Sequence, residues 1–249
     1  MCRLLGWAAS SPRTLSDLLG EEDLEAFTAL SRVHGDGWGV AWANGSGLDV
    51  RKSTEPAYAD PAFAGWAHGE PHDLGMVHLR WATLGLPVEP ANTHPFADRG
   101  VAFAHNGSVR PPEALDDLLS PGQRAAMVGT TDSERYFRAV LSAAEEMPLE
   151  QALARTVTTV AATREHTGLN CLLLTPDTLY AACRFDPATR EEEPDYFHLR
   201  YRVTEDAVVV ASTGWGREWQ PLPNGSMLVV RRHSLETTVV PLEDVLIRS

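Results

Sequence analysis

The chain opens Met1-Cys2-Arg3. If Met1 is removed, Cys2 becomes the N-terminus and carries a nucleophile and a base on one residue. An unperturbed thiol titrates at about 8.5 and an α-amine at about 7.7–8.0. Near neutral pH the amine is partly unprotonated, so it can take the thiol proton, directly or through a water, and later return it to a leaving amine. This is the terminal-amine version of the nucleophile–base pair. Five further islands carry unusual residues: HGDGWG at 34–39, HLRWATLG at 78–85, NTHPF at 92–96, AHNGS at 104–108 and GTTDSE at 129–134. Taken singly, each has an ordinary explanation. An arginine at a strand end is commonly solvated or paired, Asn-Gly is a turn signal, and an aspartate opening a helix complements its dipole.

Patterning supplies the framework for these islands. Residues 3–9 (RLLGWAA) read as a short buried strand that plants Cys2 in the core. Leu24, Phe27 and Leu30 suggest a helix over 21–31. Residues 34–39 are too rich in glycine for a helix interior and lead into strand-like Val40-Ala41-Trp42. Asn44-Gly45 is a turn signal, with 48–52 as the returning strand of a hairpin. Met76–Trp81 is the next strand. Pro87, Pro90 and Pro95 break the segment after it into loop. Val101–Ala104 is a strand ending at His105-Asn106-Gly107. Leu115, Leu118 and Leu119 mark a short helix, Phe137, Val140, Leu141 and Ala144 share a face of a longer one from Ser133, and another begins after Pro148. Strands return at 170–175, 178–183, 196–202, 207–211, 227–231 and 237–240. Residues 186–195 read as a solvated surface loop. Strands, then two helices, then strands is not the βαβ alternation of a parallel doubly wound sheet. It suits an α+β fold of two mostly antiparallel sheets packed together and covered by helices, with no linker long enough to divide residues 1–249 into separate domains.

Composition narrows the function classes. The 249 residues are 43% hydrophobic, sufficient for a sizeable core, and the formal net charge is −13. That charge argues against nucleic acid or an anionic membrane as partner, since both need clustered Lys and Arg. Of the basic residues only Lys52 is lysine, which reads as a nucleotide-composition bias. No apolar run approaches the roughly 18 residues of a membrane helix and the start lacks the pattern of a signal peptide, so a cytoplasmic location is expected. Cys2, Cys171 and Cys183 indicate neither a disulfide framework nor a zinc site, and Cys171 within an apolar strand reads as core. His34, His68, His72, His78 and His105 show no metal-ligand spacing. No metal or cofactor is implied.

Together and in order, MCR, HLRWAT, NTHPF, FAHNGS and TDSE resemble the class II glutamine amidotransferases, within the N-terminal nucleophile hydrolase superfamily. The later ASTGWGREWQPLPNGSMLVV (211–230) resembles the end of the small stand-alone members, among them the amidase of ergothioneine biosynthesis. Asp36 and Gly39 match the family's Arg-Gly-x-Asp-Ser-x-Gly loop, whose arginine is absent here. The resemblance implies a four-layer αββα sandwich over residues 1–249 with Cys2 as nucleophile. It also implies that Arg80 binds the α-carboxylate of a glutamine-like substrate, with Trp81 and Thr83 shaping the pocket. His94 falls at a pocket histidine. The resemblance further implies that Asn106 (side-chain amide) and Gly107 (backbone N–H) form the oxyanion hole and that Asp132 binds the substrate α-ammonium.

The chemistry agrees with that assignment. A γ-glutamyl group carries a carboxylate and an ammonium on one carbon, which an Arg fork and a fixed carboxylate recognise. Attack on its amide places negative charge on oxygen, where preorganised donors act. Glycine after Asn106 lets both donors converge. Thr131 with Glu134 fits a capping box, which leaves the Asp132 carboxylate to meet a ligand. The expected reaction is hydrolysis of a γ-glutamyl amide through a γ-glutamyl thioester on Cys2. The alternatives are a glutaminase subunit that passes ammonia to a separate synthetase partner, and an N-terminal-cysteine acylase of the penicillin or bile-salt type.

Overall fold

The computed structural model describes residues 2–82, 87–190, 195–212, 215 and 219–247. Within them run β1 (Arg3–Arg13), α1 (Leu15–Leu19), α2 (Glu21–Ala29), β2 (Trp38–Asn44), β3 (Gly47–Ser53), α3 (Pro61–Gly69), β4 (His72–Leu79), β5 (Phe96–Asp98) and β6 (Val101–Arg110). Next come α4 (Pro121–Ala125), α5 (Asp132–Ala143), α6 (Leu149–Thr163), β7 (Glu165–Leu174), β8 (Thr178–Cys183), β9 (Leu199–Val203), β10 (Ala207–Ser212), β11 (Gln220–Leu222), β12 (Ser226–Arg231), β13 (Thr237–Pro241) and α7 (Leu242–Val245). One sheet has the order β11-β9-β10-β1-β4-β2-β3 and the other β13-β12-β8-β7-β6-β5. Their strand pairs are antiparallel.

Alternation along each strand separates the chain into layers. On β1, Leu4 and Ala8 face inward and pack with Ala102, Ala104, Leu172 and Leu179 of the second sheet. Leu5 and Trp7 face outward and pack under Leu15, Leu24, Phe27, Phe63 and Trp66 of α1 to α3. On the far side Phe103, Leu173 and Met227 face Phe137, Val140, Leu153 and Val157 of α5 and α6. Three apolar cores therefore lie between four layers, and the αββα sandwich is observed. β1 lies inside its sheet, bonded to β10 on one side and β4 on the other.

Several elements differ from expectation. β1 and β7 are longer than predicted, and the helix at 21–31 ends as a 3₁₀ turn over Leu30–Arg32. The short helices α1 and α4 carry too few turns to show a period, and α3, which buries Phe63, Trp66 and Ala67, was not anticipated. The segment around Leu115 is 3₁₀ (Pro112–Leu118). β6 does not end at His105 but runs through Asn106 and Gly107 to Arg110, because its ladder with β7 continues across a bulge. The capping box is only half formed: Thr131 accepts the Glu134 N–H at 3.0 Å, but the Glu134 carboxylate takes the N–H groups of Val128 and Gly129 instead. Within the polar stretch 186–195, Pro187–Arg190 is a 3₁₀ turn and 191–194 lie outside the described residues.

Candidate active site

Antiparallel pairing of β1 with β4 sets Arg3 opposite Leu79. The start of one strand thus meets the end of the other, and Cys2 lies beside Arg80 and Trp81. The Trp81 N–H donates to the Cys2 sulfur at 3.4 Å, and the thiol lies 3.6 Å from the Trp81 carbonyl oxygen. The thiol is half-buried. Burial pushes its pKa up, against the lowering effect of the Trp81 backbone and the Arg80 charge.

Phase carries the other side chains to the same place. Leu74 and Met76 of β4 point between the sheets, so His78 and Arg80 follow on that face. Ala102 and Ala104 of β6 point there too, so Asn106 follows. Arg80 is 3% exposed. Two of its five N–H donors go to backbone carbonyls, those of Asp36 at 3.3 Å and Pro87 at 3.1 Å. Burial lowers its pKa. No carboxylate among the described residues lies within ion-pair distance of it. The HGDGWG loop braces this segment. Asp36 donates its N–H to the Arg80 carbonyl at 3.0 Å and accepts the Ala82 N–H on its carboxylate at 2.7 Å, and Arg80 donates its own N–H to Gly37.

Asn106 is fully buried, with neither its Nδ2 nor its Oδ1 partnered. Its neighbour Gly107 has φ +152°, and a Cβ there would collide with the carbonyl oxygen of Gly168. Glycine is demanded by that close approach. Asp132 opens α5 and accepts the Val109 N–H on Oδ2 at 2.8 Å, which ties the helix start to β6. No Lys, Arg or His among the described residues pairs with its carboxylate. His94 is 4% exposed and packs against His78 with the ring centres 4.1 Å apart and the planes tilted by 32°, and both its ring nitrogens are unpartnered. Burial lowers His94 well below the usual range and takes His78 down to about 3, so both are neutral near pH 7.

One cleft is lined by Cys2, Arg80, Trp81, His94, Gly107 and Asp132, together with Ala82, Asn92, Thr131 and Ser133. Asn106, fully buried, is not part of that lining, and Thr83 lies outside the described residues. Sequence reasoning missed the bracing carboxylate of Asp36. It also missed Asn92, whose Oδ1 accepts the Thr130 N–H at 2.9 Å beside the start of α5. The signal for Asp36 was its match to the aspartate of the family loop, which was not given a role, and that for Asn92 only that it lies within a quoted island. It also set Lys52 aside. Lys52 is half-buried with its Nζ 5.4 Å above the Phe96 ring, and Phe96 packs on His94.

Comparisons with known proteins agree on one kind of molecule. A family model for class II glutamine amidotransferases matches residues 1–200. The γ-glutamyl-hercynylcysteine sulfoxide hydrolase of Mycolicibacterium smegmatis is 27% identical, over 97% of this chain and 100% of that protein. The enzyme of that name from Mycobacterium tuberculosis is 28% identical over 87% of this chain and 88% of its own. Among solved structures, a class II glutamine aminotransferase domain protein from Silicibacter pomeroyi superposes with TM-score 0.68 at 23% identity, over 96% of this chain and 99% of the other. The glutamine phosphoribosylpyrophosphate amidotransferase of Bacillus subtilis superposes with TM-score 0.65 at 16% identity, over 97% of this chain and 49% of the other.

Proposed function

This chain belongs to the class II glutamine amidotransferases, and on that basis we propose that it hydrolyses a γ-glutamyl conjugate at Cys2. The observation that carries the proposal is a pair of buried opposite charges in one cleft. Arg80 and Asp132 each lack a counter-ion among the described residues, and they flank the thiol. A buried charge is costly unless it is paired. A substrate that carries a carboxylate and an ammonium on one carbon supplies both partners at once.

The steps derive from that placement. Removal of Met1 frees the Cys2 amine, which takes the thiol proton as sulfur attacks the γ-carbonyl. Negative charge gathers on the carbonyl oxygen, where the Asn106 amide and the Gly107 N–H donate. The C–N bond breaks, the amine leaves with the proton, and a γ-glutamyl thioester remains on Cys2. Water, deprotonated by the same amine, cleaves the thioester and releases glutamate. Trp81 and Thr83 shape the pocket, with His94 as a further pocket residue. Residues 1–249 act as one domain of this type. Among the described residues no helix is long and apolar enough to cross a membrane, and Cys2, Cys171 and Cys183 are unbridged. We place the reaction in the cytoplasm.

For the leaving amine we propose hercynylcysteine sulfoxide, as in the name of the two mycobacterial relatives. The test is turnover of γ-glutamyl-hercynylcysteine sulfoxide against glutamine, with glutamate and ammonia both assayed. Preference for the conjugate supports the hydrolase. Preference for glutamine points to ammonia supply for a synthetase partner. Turnover of neither, by protein beginning at Cys2, refutes the γ-glutamyl reading.

A further inference from the structure

His105 is on the opposite face of β6 from Asn106, under α5, and is 1% exposed. Its Nε2 lies 3.0 Å from the carbonyl oxygen of Gly168, and its Nδ1 lies 2.9 Å from Ser133 Oγ. A carbonyl oxygen only accepts, so Nε2 carries a hydrogen. Burial lowers the ring's pKa, which favours the neutral form. A neutral ring protonated at Nε2 accepts the Ser133 hydroxyl hydrogen at Nδ1, so both contacts fix one tautomer and one ring orientation.

Each contact ends beside the cleft. Ser133 comes directly after Asp132 at the start of α5. Gly168 supplies the carbonyl against which Gly107 is packed without room for a Cβ. That carbonyl is available because the β6–β7 ladder is irregular. Gly107 pairs with Leu169, but the next pair is Val109 with His166, which leaves residues 167 and 168 opposite Ser108. Such a bulge re-aims groups out of the ladder.

We propose that His105 is a positioning residue that joins the two halves of the site, holding the Asn106–Gly107 backbone to Gly168 through Nε2–H and the Asp132–Ser133 helix start to the same strand through Nδ1. The inference rests on the hydrolase reading above. The Gly168 contact governs how well the oxyanion donors are aimed, and so bears on kcat. The Ser133 contact governs where the Asp132 carboxylate stands, and so bears on KM.

Conservative variants separate the two contacts. Gln places its amide near the position of Nε2, and Asn places its amide near that of Nδ1. On a γ-glutamyl anilide, His105→Gln and Ser133→Ala should raise KM about tenfold with kcat changed less than about threefold. His105→Asn should lower kcat about tenfold with the smaller effect on KM. These are effects of one hydrogen bond to a buried partner. Independently of turnover, long-range ¹H–¹⁵N correlation on histidine-labelled protein should show His105 as the Nε2–H tautomer at pH 7.5. The proposal is overturned if the ring is Nδ1–H or doubly protonated, or if the variants change kcat and KM without this split. Ser133→Ala, the mildest change, keeps the test available if the histidine variants fail to fold. A wild-type protein with no γ-glutamyl turnover would sink the hydrolase reading itself, a different result from an active enzyme whose variants show no split.

Discussion

The backbone N–H of Trp81 donates to the sulfur of Cys2 at 3.4 Å, so the thiol is held by the residue directly after Arg80. One short segment beyond β4 therefore carries both the contact to the thiol and the buried guanidinium, and Asp36 braces it from the other side. Thiol and charge share a single support.

The head-group clamp is tested at Arg80 and Asp132. Arg80→Lys keeps the charge but loses the planar fork, and Asp132→Asn keeps the shape but loses the charge. Each should raise KM for a γ-glutamyl anilide by about 10- to 100-fold, the worth of a charge-assisted hydrogen bond. Steady-state kinetics would check it, and unchanged kinetics in both variants would remove the clamp.

Asn106→Ala removes the side-chain donor assigned to the developing oxyanion. The expected loss is about 10²–10³ in kcat, with a smaller change in KM. Cys2 should still be alkylated by a glutamine-like electrophile, more slowly. Full kcat in the variant would exclude Asn106 from the mechanism.

Gly107→Ala places a methyl group against the Gly168 carbonyl at a φ that L-residues rarely adopt. The expected destabilisation is about 3 kcal/mol, read as a lowered midpoint in urea, together with loss of turnover. Wild-type stability in the variant would mean that β6 and β7 are not in the contact described.

Retention of Met1 should abolish turnover, because the Cys2 nitrogen is then an amide and cannot accept a proton. Intact mass identifies the form, and processed protein is compared with a variant in which Met1 is retained. Equal activity would require another base, with His34 and His94 the first candidates, since His105 is engaged through both ring nitrogens on the far face of β6.

Lys52 makes a pH-dependent prediction. Burial lowers its pKa from the ordinary 10.5 to about 8, with Glu134 opposing the shift. The cost of the buried ammonium is therefore fully present below about 8 and is relieved as pH rises from there towards 10.5. Lys52→Met should stabilise the protein at pH 7 by on the order of 1 kcal/mol, allowing for partial exposure, and the gain should shrink by pH 10. Urea unfolding at both pH values reads it, and a gain that grows with pH would contradict the burial of the charge.

What the sequence made legible was what depends on neighbours along the chain. The hairpin β2–β3 was visible in Asn44-Gly45, and α5 and α6 in their apolar faces, because these periods are local. The two packed antiparallel sheets came from the order of elements, and their four-layer arrangement from the family resemblance. The bulge at Ser108 was not legible, since it depends on pairing between residues about sixty positions apart. The continuation of β6 past Gly107 was missed for the same reason. Glu134 departed from its local pattern because the N–H groups of Val128 and Gly129 competed for its carboxylate. Lys52 looked like a matter of composition because nothing near it in sequence hints that Phe96 lies over it.

Cys2, Arg80 and Asn106 all carry even numbers, and each extends an even-numbered face that looks into the gap between the sheets. A strand has only two faces, so parity is the address of the three side chains that β1, β4 and β6 bring to this site. Adding a single residue within β6 would exchange its occupants, turning the His105 ring into the gap and the Asn106 amide under α5. Adding one at the exposed Arg99–Gly100 turn leaves the phase of β6 intact. One alanine inserted between Ala102 and Phe103 should abolish turnover, while one inserted between Arg99 and Gly100 should spare it, a contrast that a kcat measurement reads directly. Divergence in this fold is thus free to lengthen its turns, while its strands can change length only in steps that preserve odd and even.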